Sequence, residues 1–461
     1  MAGSFRRVGA RHFAAKIAFF MATAHLLADL TRIAPYRLYG RVTGVQGMLV
    51  EIGGVEHLLS IGSRCSLVAR DGRRVACEVV GFRKDRALLM PFSALDGIGL
   101  GCKAEIADSE PVIRPHESWL GRVVNALGEP LDGKGPLPNG PQPFLLRASP
   151  PPAHSRQRVR GKVDLGVRAI NTFLTCCRGQ RMGIFAGSGV GKSSLLSMMA
   201  RYTAADVSVI GLIGERGREV QEFLADDLGP EGLARSVVVV ATSDESPLMR
   251  RQAAYLTMTI AEYFRDHDRD VLCLMDSITR FAMAQREIGL SAGEPPASKG
   301  YTPSVFAELP RVLERAGPGT GKGSITGLFT VLVDGDDHNE PIADAVRSIV
   351  DGHIVLDRGI AERGRYPAVD ILRSISRTMP GCNTESENEV VSRARALLAQ
   401  YNDMAEMIRL GAYRRGSDAL VDESIHYFPQ LEKFLAQRKD ERTDLAAGYG
   451  ELADILGMPR P

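Results

Sequence analysis

The sequence predicts an α/β protein, with a small β-barrel ahead of its core and an α-helical tail behind it. Three observations carry this reading. Near-continuous apolar runs of strand length (Met182–Ala186, Val207–Ile213, Val237–Val240, Val271–Met275 and Leu328–Val333) alternate with longer helical patterns. That is what a parallel sheet covered on both faces requires. Short β runs punctuated by glycine fill residues 36–107, and after about Ser376 the β runs give way to charged, amphipathic helical stretches.

The bulk properties fit. The chain has 461 residues, 44% hydrophobic and 24% charged, which excludes a disordered chain, a collagen and a disulfide-stapled miniprotein. A formal charge of +2 gives no global electrostatic case for a nucleic-acid binder. One tryptophan and few other aromatics argue against a base-stacking or carbohydrate specialist. Seven cysteines, with no CxxC pair, suit a reducing cytosol and offer no zinc site. Adjacent Cys176 and Cys177 read as apolar helix filler.

The N-terminal residues 1–33 carry Arg6, Arg7, Arg11 and Lys16 ahead of an apolar stretch, Ile17–Ala24. This imitates a signal peptide but is too short for a membrane span. The recurrence of Phe13, Ile17, Phe20, Ala24 and Leu27 predicts an amphipathic helix. Two readings stay open for it: packing on the next domain, or docking to a partner or an acidic membrane surface.

Residues 34–110 form the predicted barrel. Asp71-Gly72 lies between two strand-like runs, a strong hairpin signal. Phe82 and Phe92 are too few for a nucleic-acid face, so the barrel reads as an assembly domain. The proline-crowded stretch Glu129–Pro152 cannot form regular structure and reads as an extended connection. It lies within residues 111–375, the predicted α/β core; residues 376–461 form the helical C-terminal domain.

Residues 186–193 read Ala-Gly-Ser-Gly-Val-Gly-Lys-Ser, a near match to the phosphate-binding loop pattern with Ala186 at its first position. Small residues let the backbone N–H groups of Gly187, Ser188, Gly189, Val190 and Gly191 curl around phosphate oxygens, with Ser194 opening the helix behind. Lys192 reaches the β and γ phosphates and the Ser193 hydroxyl binds Mg²⁺. The flanking runs fit: a strand before, a helix Ser194–Arg201 after. A near repeat at 316–323, Ala-Gly-Pro-Gly-Thr-Gly-Lys-Gly, lacks the hydroxyl and carries Pro318, and reads as a mobile loop. Asp276 ends an apolar strand, where a second Mg²⁺ contact belongs; its other reading is the N-cap of the helix Ser277–Ile288. Glu215 follows the strand Val207–Ile213 and could polarise the water that attacks the γ-phosphate.

These pieces sit among longer motifs: Gly214-Glu-Arg-Gly-Arg-Glu-Val220, Asp276-Ser-Ile-Thr-Arg-Phe-Ala-Met-Ala-Gln-Arg286, Gly300-Tyr-Thr-Pro-Ser-Val-Phe306, Asp334-Gly-Asp-Asp337, Ile342-Ala-Asp344, Asp351-Gly-His-Ile354 and Tyr366-Pro-Ala-Val-Asp370. With them the chain after residue 35 resembles the rotary-type hexameric ATPases, the group of ATP-synthase catalytic subunits, and most of all their protein-export branch. It departs from the usual pattern at Thr302, where the family has proline. The resemblance implies a RecA-like core that binds ATP and Mg²⁺. Glu215 is then the general base or water-orienting carboxylate, Arg216 and Arg280 contact the phosphate end, and Tyr366 stacks on adenine. Arg377 is the arginine finger donated across a subunit interface.

The tail Gly411-Ala-Tyr-Arg-Arg-Gly-Ser-Asp418 and Leu431-Glu-Lys-Phe-Leu-Ala-Gln437 lean to the flagellar side of that branch, Leu372-Arg-Ser374 to the virulence injection systems. The partners implied are five. They are other copies in a homohexamer, a stator-like negative regulator, export-gate membrane proteins, export chaperones with flagellar substrates, and an acidic membrane surface. Nucleic acid is not among them. The place implied is the cytoplasm, peripherally at the inner membrane of the flagellar base. Alternatives are an injection-system ATPase, a proton-coupled synthase subunit, an RNA translocase, and a nucleotide-binding scaffold without turnover.

Overall fold

A computed structural model describes residues 38–107, 111–333 and 340–461. The expectations for residues 1–33 and for the Asp334–Asp337 motif lie outside the described residues. The chain divides into two compact units, at residues 1–110 and 111–461.

In the first unit six strands close a barrel: β1 (Tyr39–Gln46), β2 (Leu49–Gly53), β3 (Arg64–Val68), β4 (Arg74–Arg83), β5 (Arg86–Pro91) and β6 (Lys103–Ile106), in the order β1-β2-β5-β4-β3-β6. The Asp71-Gly72 hairpin forms as expected. Val68 pairs with Arg74, the Asp71 carboxylate accepts from the Arg73 N–H at 2.9 Å, and Gly72 takes φ 86°, a left-handed turn position suited to glycine. Alternating residues point inward, and Val50, Ile52, Leu67, Val79 and Leu89 are fully buried. β1 and β6 close the barrel but carry weak apolar alternation.

The second unit is built on a mostly parallel sheet. Its strands are β7 (Arg122–Asn125), β8 (Arg181–Ala186), β9 (Val207–Glu215), β10 (Ser236–Thr242), β11 (Asp270–Asp276), β12 (Ser324–Leu332), β13 (Gly352–Leu356) and β14 (Ile375–Ser376). They lie in the order β14-β13-β8-β12-β11-β9-β10-β7, parallel except for β14. Helices α1 (Lys192–Tyr202), α2 (Pro247–Asp266) and α3 (Ile278–Ala292) follow β8, β10 and β11. The C-terminal helices are α4 (Glu385–Arg409), α5 (Ala419–Leu435) and α6 (Leu445–Leu456). α4 opens with a reciprocal capping box, Thr384 with Glu387. Leu397, Phe434, Tyr449 and Leu452 share one apolar core with Ile184, Leu195 and Leu274 of the sheet unit. Among the described residues no helix is long and apolar enough to cross a membrane.

Three local readings change. The near repeat at 316–323 is an ordered hairpin rather than a mobile loop. Gly317–Pro318 pairs antiparallel with β12, and the Gly319 N–H donates to the Gly323 carbonyl at 3.0 Å. A side chain at Gly323 would meet backbone oxygen at 2.1 Å, so its glycine is there for close packing. Cys177 lies in a strand, Cys176–Arg178, paired with Arg160–Val163, and is bonded to Cys382. β-Pairing there overrides the helical reading. The proline-crowded connection includes a two-residue strand, Phe144–Leu145, paired with Val112–Ile113. The stretch is pinned elsewhere by side chains. Trp119 donates to the Pro138 carbonyl at 2.8 Å, Arg122 clamps Asp132 at 2.7 and 2.9 Å, and buried Arg315 donates to the Leu146 carbonyl at 2.8 Å.

Candidate functional site

β8, β11 and β9 run parallel, so their carboxyl ends lie along one edge of the sheet. That edge is where ligands bind in open α/β sheets. The phosphate loop leaves β8, Asp276 ends β11, and Glu215 ends β9. The loop closes through Gly191, the N-cap of α1, at φ 86°. A side chain there would also sit 3.1 Å from the Tyr366 ring, so position and neighbour both demand glycine. Ser188, Gly189, Ser193 and Ser194 are exposed, while Gly187 and Val190 are buried.

Lys192 joins the three strands. Its ammonium contacts the Asp276 carboxylate directly and lies 3.4 Å from Glu215 Oε1. Asp276 is buried, and its Oδ1 also accepts from the Thr330 hydroxyl at 2.7 Å. Ser277, not Asp276, caps α3, accepting from the Arg280 N–H at 3.3 Å. The capping reading of Asp276 is therefore set aside, because its carboxylate is turned to Lys192.

Burial alone would lower the Lys192 pKa, but the two carboxylates outweigh it and hold the ammonium above its ordinary range. Glu215 is pushed up to about 7, chiefly by burial; Asp276 raises it further while Lys192 opposes. A shared hydrogen bond with Glu219 adds to the rise in Glu215 and is the leading cause of the fall in Glu219. A carboxyl group poised near neutrality beside a phosphate loop is suited to proton transfer or to orienting a water. The sequence reading missed Glu219, though it stands four residues after Glu215 in the same motif. It missed Thr330 because a mid-strand threonine carries no local signal.

Tyr366 lies over the loop, its peptide bond to Pro367 cis and its carbonyl accepting from the Gln437 N–H at 2.8 Å. Beside it opens a cavity of about 1020 Å³, lined by Gly191, Ser194, Leu195, Met198 and Phe434. A smaller one of about 250 Å³ lies at Ser188, Gly189 and Arg358. The ring thus borders both the phosphate loop and a hollow of nucleotide size whose wall mixes Leu195, Met198 and Phe434 with Arg168, Lys433 and Glu451.

The other three arginine and finger positions are not in this cluster. The Arg216 side chain is 80% exposed and 3.4 Å from Glu219. Arg280 packs its methylenes on Gly214 and is half-buried. Arg377 is exposed just beyond β14, its backbone N–H donating to the Asp351 carbonyl at 3.0 Å. Among the described residues no group of three or more His, Cys, Asp or Glu could hold a metal by itself.

Residues 166–376 match the ATP synthase alpha/beta family, nucleotide-binding domain, and residues 384–454 the T3SS EscN ATPase C-terminal domain. The chain is 58% identical over 437 residues to the flagellum-specific ATP synthase of Caulobacter vibrioides, covering 94% of this chain and 98% of that relative. It is 48% identical over 430 residues to the type 3 secretion system ATPase of Xanthomonas euvesicatoria, covering 93% and 95%. The assembled ATPase EscN from the enteropathogenic E. coli type III secretion system superposes with a TM-score of 0.85. It is 40% identical, covering 90% of this chain and all of that one. EscN in complex with its central stalk EscO gives 0.83 at 39% identity. Its loop, its acidic strand ends and these likenesses together place the chain in the ATP synthase alpha/beta family, as a P-loop ATPase of the flagellar and type III export branch.

Proposed function

We propose that the chain hydrolyses ATP as a homohexameric ring at the flagellar base and couples turnover to release of chaperone-delivered export substrates. The observation that carries the catalytic part is the meeting of Lys192, Glu215 and Asp276 at the carboxyl edge of three parallel strands. The loop from Gly187 to Ser194 would cradle the phosphates, with Lys192 on the β and γ groups. Glu215 would accept a proton from the attacking water or orient it. Tyr366 would stack on adenine at the mouth of the larger cavity.

Ser193 and Asp276 would hold Mg²⁺. A hydroxyl and a carboxylate are the hard oxygen donors this ion takes, and Asp276 already faces a cation, the Lys192 ammonium. When bound, the ion supplies neutralisation of phosphate charge. Arg216 and Arg280 would reach the phosphate end once nucleotide is present, and Arg377 would act on a neighbouring subunit's nucleotide.

The ring is supported by the assembled form of EscN, and a stalk or regulator partner by the EscN–EscO complex. Within the ring, residues 34–110 would serve assembly, 111–375 hydrolysis and 376–461 substrate contact. Residues 1–33 would dock the stator-like regulator and the acidic face of the inner membrane, with the export gate beyond; the ring itself would be cytoplasmic. The 58% identity to a flagellar relative favours flagellar over injection-system export; the 48% identity to a type 3 secretion ATPase keeps the second reading in view.

The test is a gene deletion scored for external filaments and secreted filament protein. Loss of filaments, rescued by wild type and poorly by Glu215→Gln, is the expected result. Normal filaments in the deletion strain would remove the flagellar reading.

A further inference from the structure

Cys177 and Cys382 are bonded across 205 residues of sequence. Cys177 is buried in the strand Cys176–Arg178, while Cys382 is half-buried at the end of the short helix Met379–Cys382. Arg377 lies between that helix and β14. The segment is also held by hydrogen bonds to the same part of the chain. The Cys177 N–H donates to Gln180 Oε1 at 2.8 Å, Gln180 Nε2 donates to the Ser376 hydroxyl at 2.9 Å, and that hydroxyl donates to the Thr175 carbonyl at 2.9 Å. On the far side, Asn383 Nδ2 donates to the Tyr449 hydroxyl at 2.8 Å, which in turn meets the Thr175 hydroxyl at 2.6 Å. The hydrogen bonds grip Ser376 and Asn383; the covalent bond grips the helix between them.

We infer that Cys177 and Cys382 form a reversible dithiol–disulfide modification site that fastens the Arg377 segment to the strand Cys176–Arg178. The co-reactant is a low-molecular-weight disulfide. Half-buried Cys382 is the thiol that solvent reagents reach. Its thiolate attacks the small disulfide, forming a mixed disulfide and releasing one small thiolate. The Cys177 thiolate then attacks the Cys382 sulfur and releases the second. The two protons lost by the protein end on the two small thiols, so the protein is oxidised by two electrons and the small disulfide is reduced. Disulfides in cytosolic chains are commonly transient and redox-sensing. Four of the five remaining thiols compete poorly: burial pushes Cys65 up to about 11 and Cys77, Cys176 and Cys273 up to about 12, and the thiolate is the reactive form. The fifth, Cys102, is half-buried like Cys382, with its sulfur against the backbone of Gly97 and Gly99.

The functional consequence rests on the proposed role of Arg377; the site itself does not. The full-length protein is reduced, desalted and divided, and one half is treated with glutathione disulfide. Thiol titration after denaturation should count seven in the reduced half and five in the oxidised half, with one cross-linked peptide pair containing Cys177 and Cys382. Amide hydrogen exchange over 375–383 should slow by about tenfold on oxidation, as a local opening is suppressed. Cys382→Ser and, independently, Cys177→Ala should exchange like the reduced protein whatever the treatment. Seven thiols after oxidant, a bond through Cys176 instead, or identical exchange in both halves would overturn the inference. Phosphate release by the assembled ring, measured on the same halves, separates the two readings. A difference that Arg377→Ala abolishes supports both. Redox-dependent exchange with unchanged phosphate release keeps the modification site and removes its effect on turnover, while a loss of release in Arg377→Ala alone keeps the Arg377 role.

Discussion

The Lys192 ammonium rests on the Asp276 carboxylate, linking the first turn of α1 to the end of β11 across 84 residues of sequence. Glu215 approaches the same ammonium from β9 at 3.4 Å. One cation therefore separates two carboxylates at the edge where phosphates would arrive. Lys192→Ala leaves Glu215 and Asp276 facing each other without it, which raises the Glu215 pKa further. Loss of a preorganised positive donor at a transferring phosphoryl group costs about 10²–10³ in rate. Steady-state phosphate release should fall at least that far, and a variant with wild-type turnover would remove Lys192 from the mechanism.

Glu215 gives a pH signature. A base with its pKa near 7 must be ionised to act, so kcat/KM should climb about tenfold per pH unit below 7 and level off above it. Glu215→Gln should be slow and flat over the same range. The linkage to stability runs the other way. The folded-state pKa lies above the ordinary carboxylate value, so the folded state binds the extra proton. The stability this confers is full below about pH 4.5 and is lost as pH rises through about 7. Glu215→Gln should therefore melt higher than wild type at pH 8 and close to it at pH 5. Thermal unfolding at the two pH values reads this directly.

The site edge was legible because its residues sit at the ends of apolar strands. Val207–Ile213 and Val271–Met275 are near-continuous apolar runs since both their faces are covered, and Glu215 and Asp276 stand where those runs stop. The shorter strands were hidden. β7 and β14 have four and two residues, too few for any periodicity to show. The hairpin at 316–323 was read as a mobile loop because a run of glycines signals freedom, whereas Gly323 is there for close approach to the backbone of Arg265 and Arg269. Thr330, Glu219 and the Cys177–Cys382 bond needed three-dimensional proximity that spacing alone does not encode.

Gly191 and Tyr366 should fail together. Gly191→Ala places a methyl group at φ 86° and 3.1 Å from the Tyr366 ring. The left-handed conformation alone costs about 1–2 kcal/mol, and the ring must also shift. Tyr366→Ala keeps the loop but removes the ring proposed to stack on adenine, a contact worth about 1–3 kcal/mol per base. Nucleotide affinity should drop by roughly 5- to 150-fold in that variant, with little change in melting temperature. Gly191→Ala should lose both affinity and stability. Equilibrium binding of a fluorescent ATP analogue, paired with thermal unfolding, distinguishes the two patterns.

Arg315 and Glu262 form a buried pair at 2.6 Å, 1% and 5% exposed, and Arg315 also holds the Thr259 hydroxyl and the Leu146 carbonyl. Removing one partner of such a pair leaves an uncompensated buried charge and costs about 3–5 kcal/mol. Glu262→Ala should therefore unfold at markedly lower denaturant. It lies on α2, away from the phosphate loop, so KM for ATP in the protein that remains folded should be unchanged. A raised KM with normal stability would contradict the structural role.

Arg377 separates a ring mechanism from a single-chain one. Its side chain is exposed beyond β14, outside the Lys192 cluster of its own chain. An arginine finger contributes about 10³–10⁵ in rate, or about 4–7 kcal/mol of barrier, but only where a neighbour supplies the nucleotide. Arg377→Ala should therefore leave dilute monomer turnover and ATP affinity unchanged while abolishing the rise in specific activity with protein concentration. Mixing makes the test sharper. Arg377→Ala subunits keep an intact Lys192, Glu215 and Asp276, and Glu215→Gln subunits keep an intact Arg377. Rings assembled from both should recover turnover at the interfaces where a wild-type finger meets a wild-type site, although neither variant alone reaches the turnover of the wild-type ring. Recovery in the mixture requires donation in trans. If the mixture turns over no faster than the sum of its parts, Arg377 does not act across the interface.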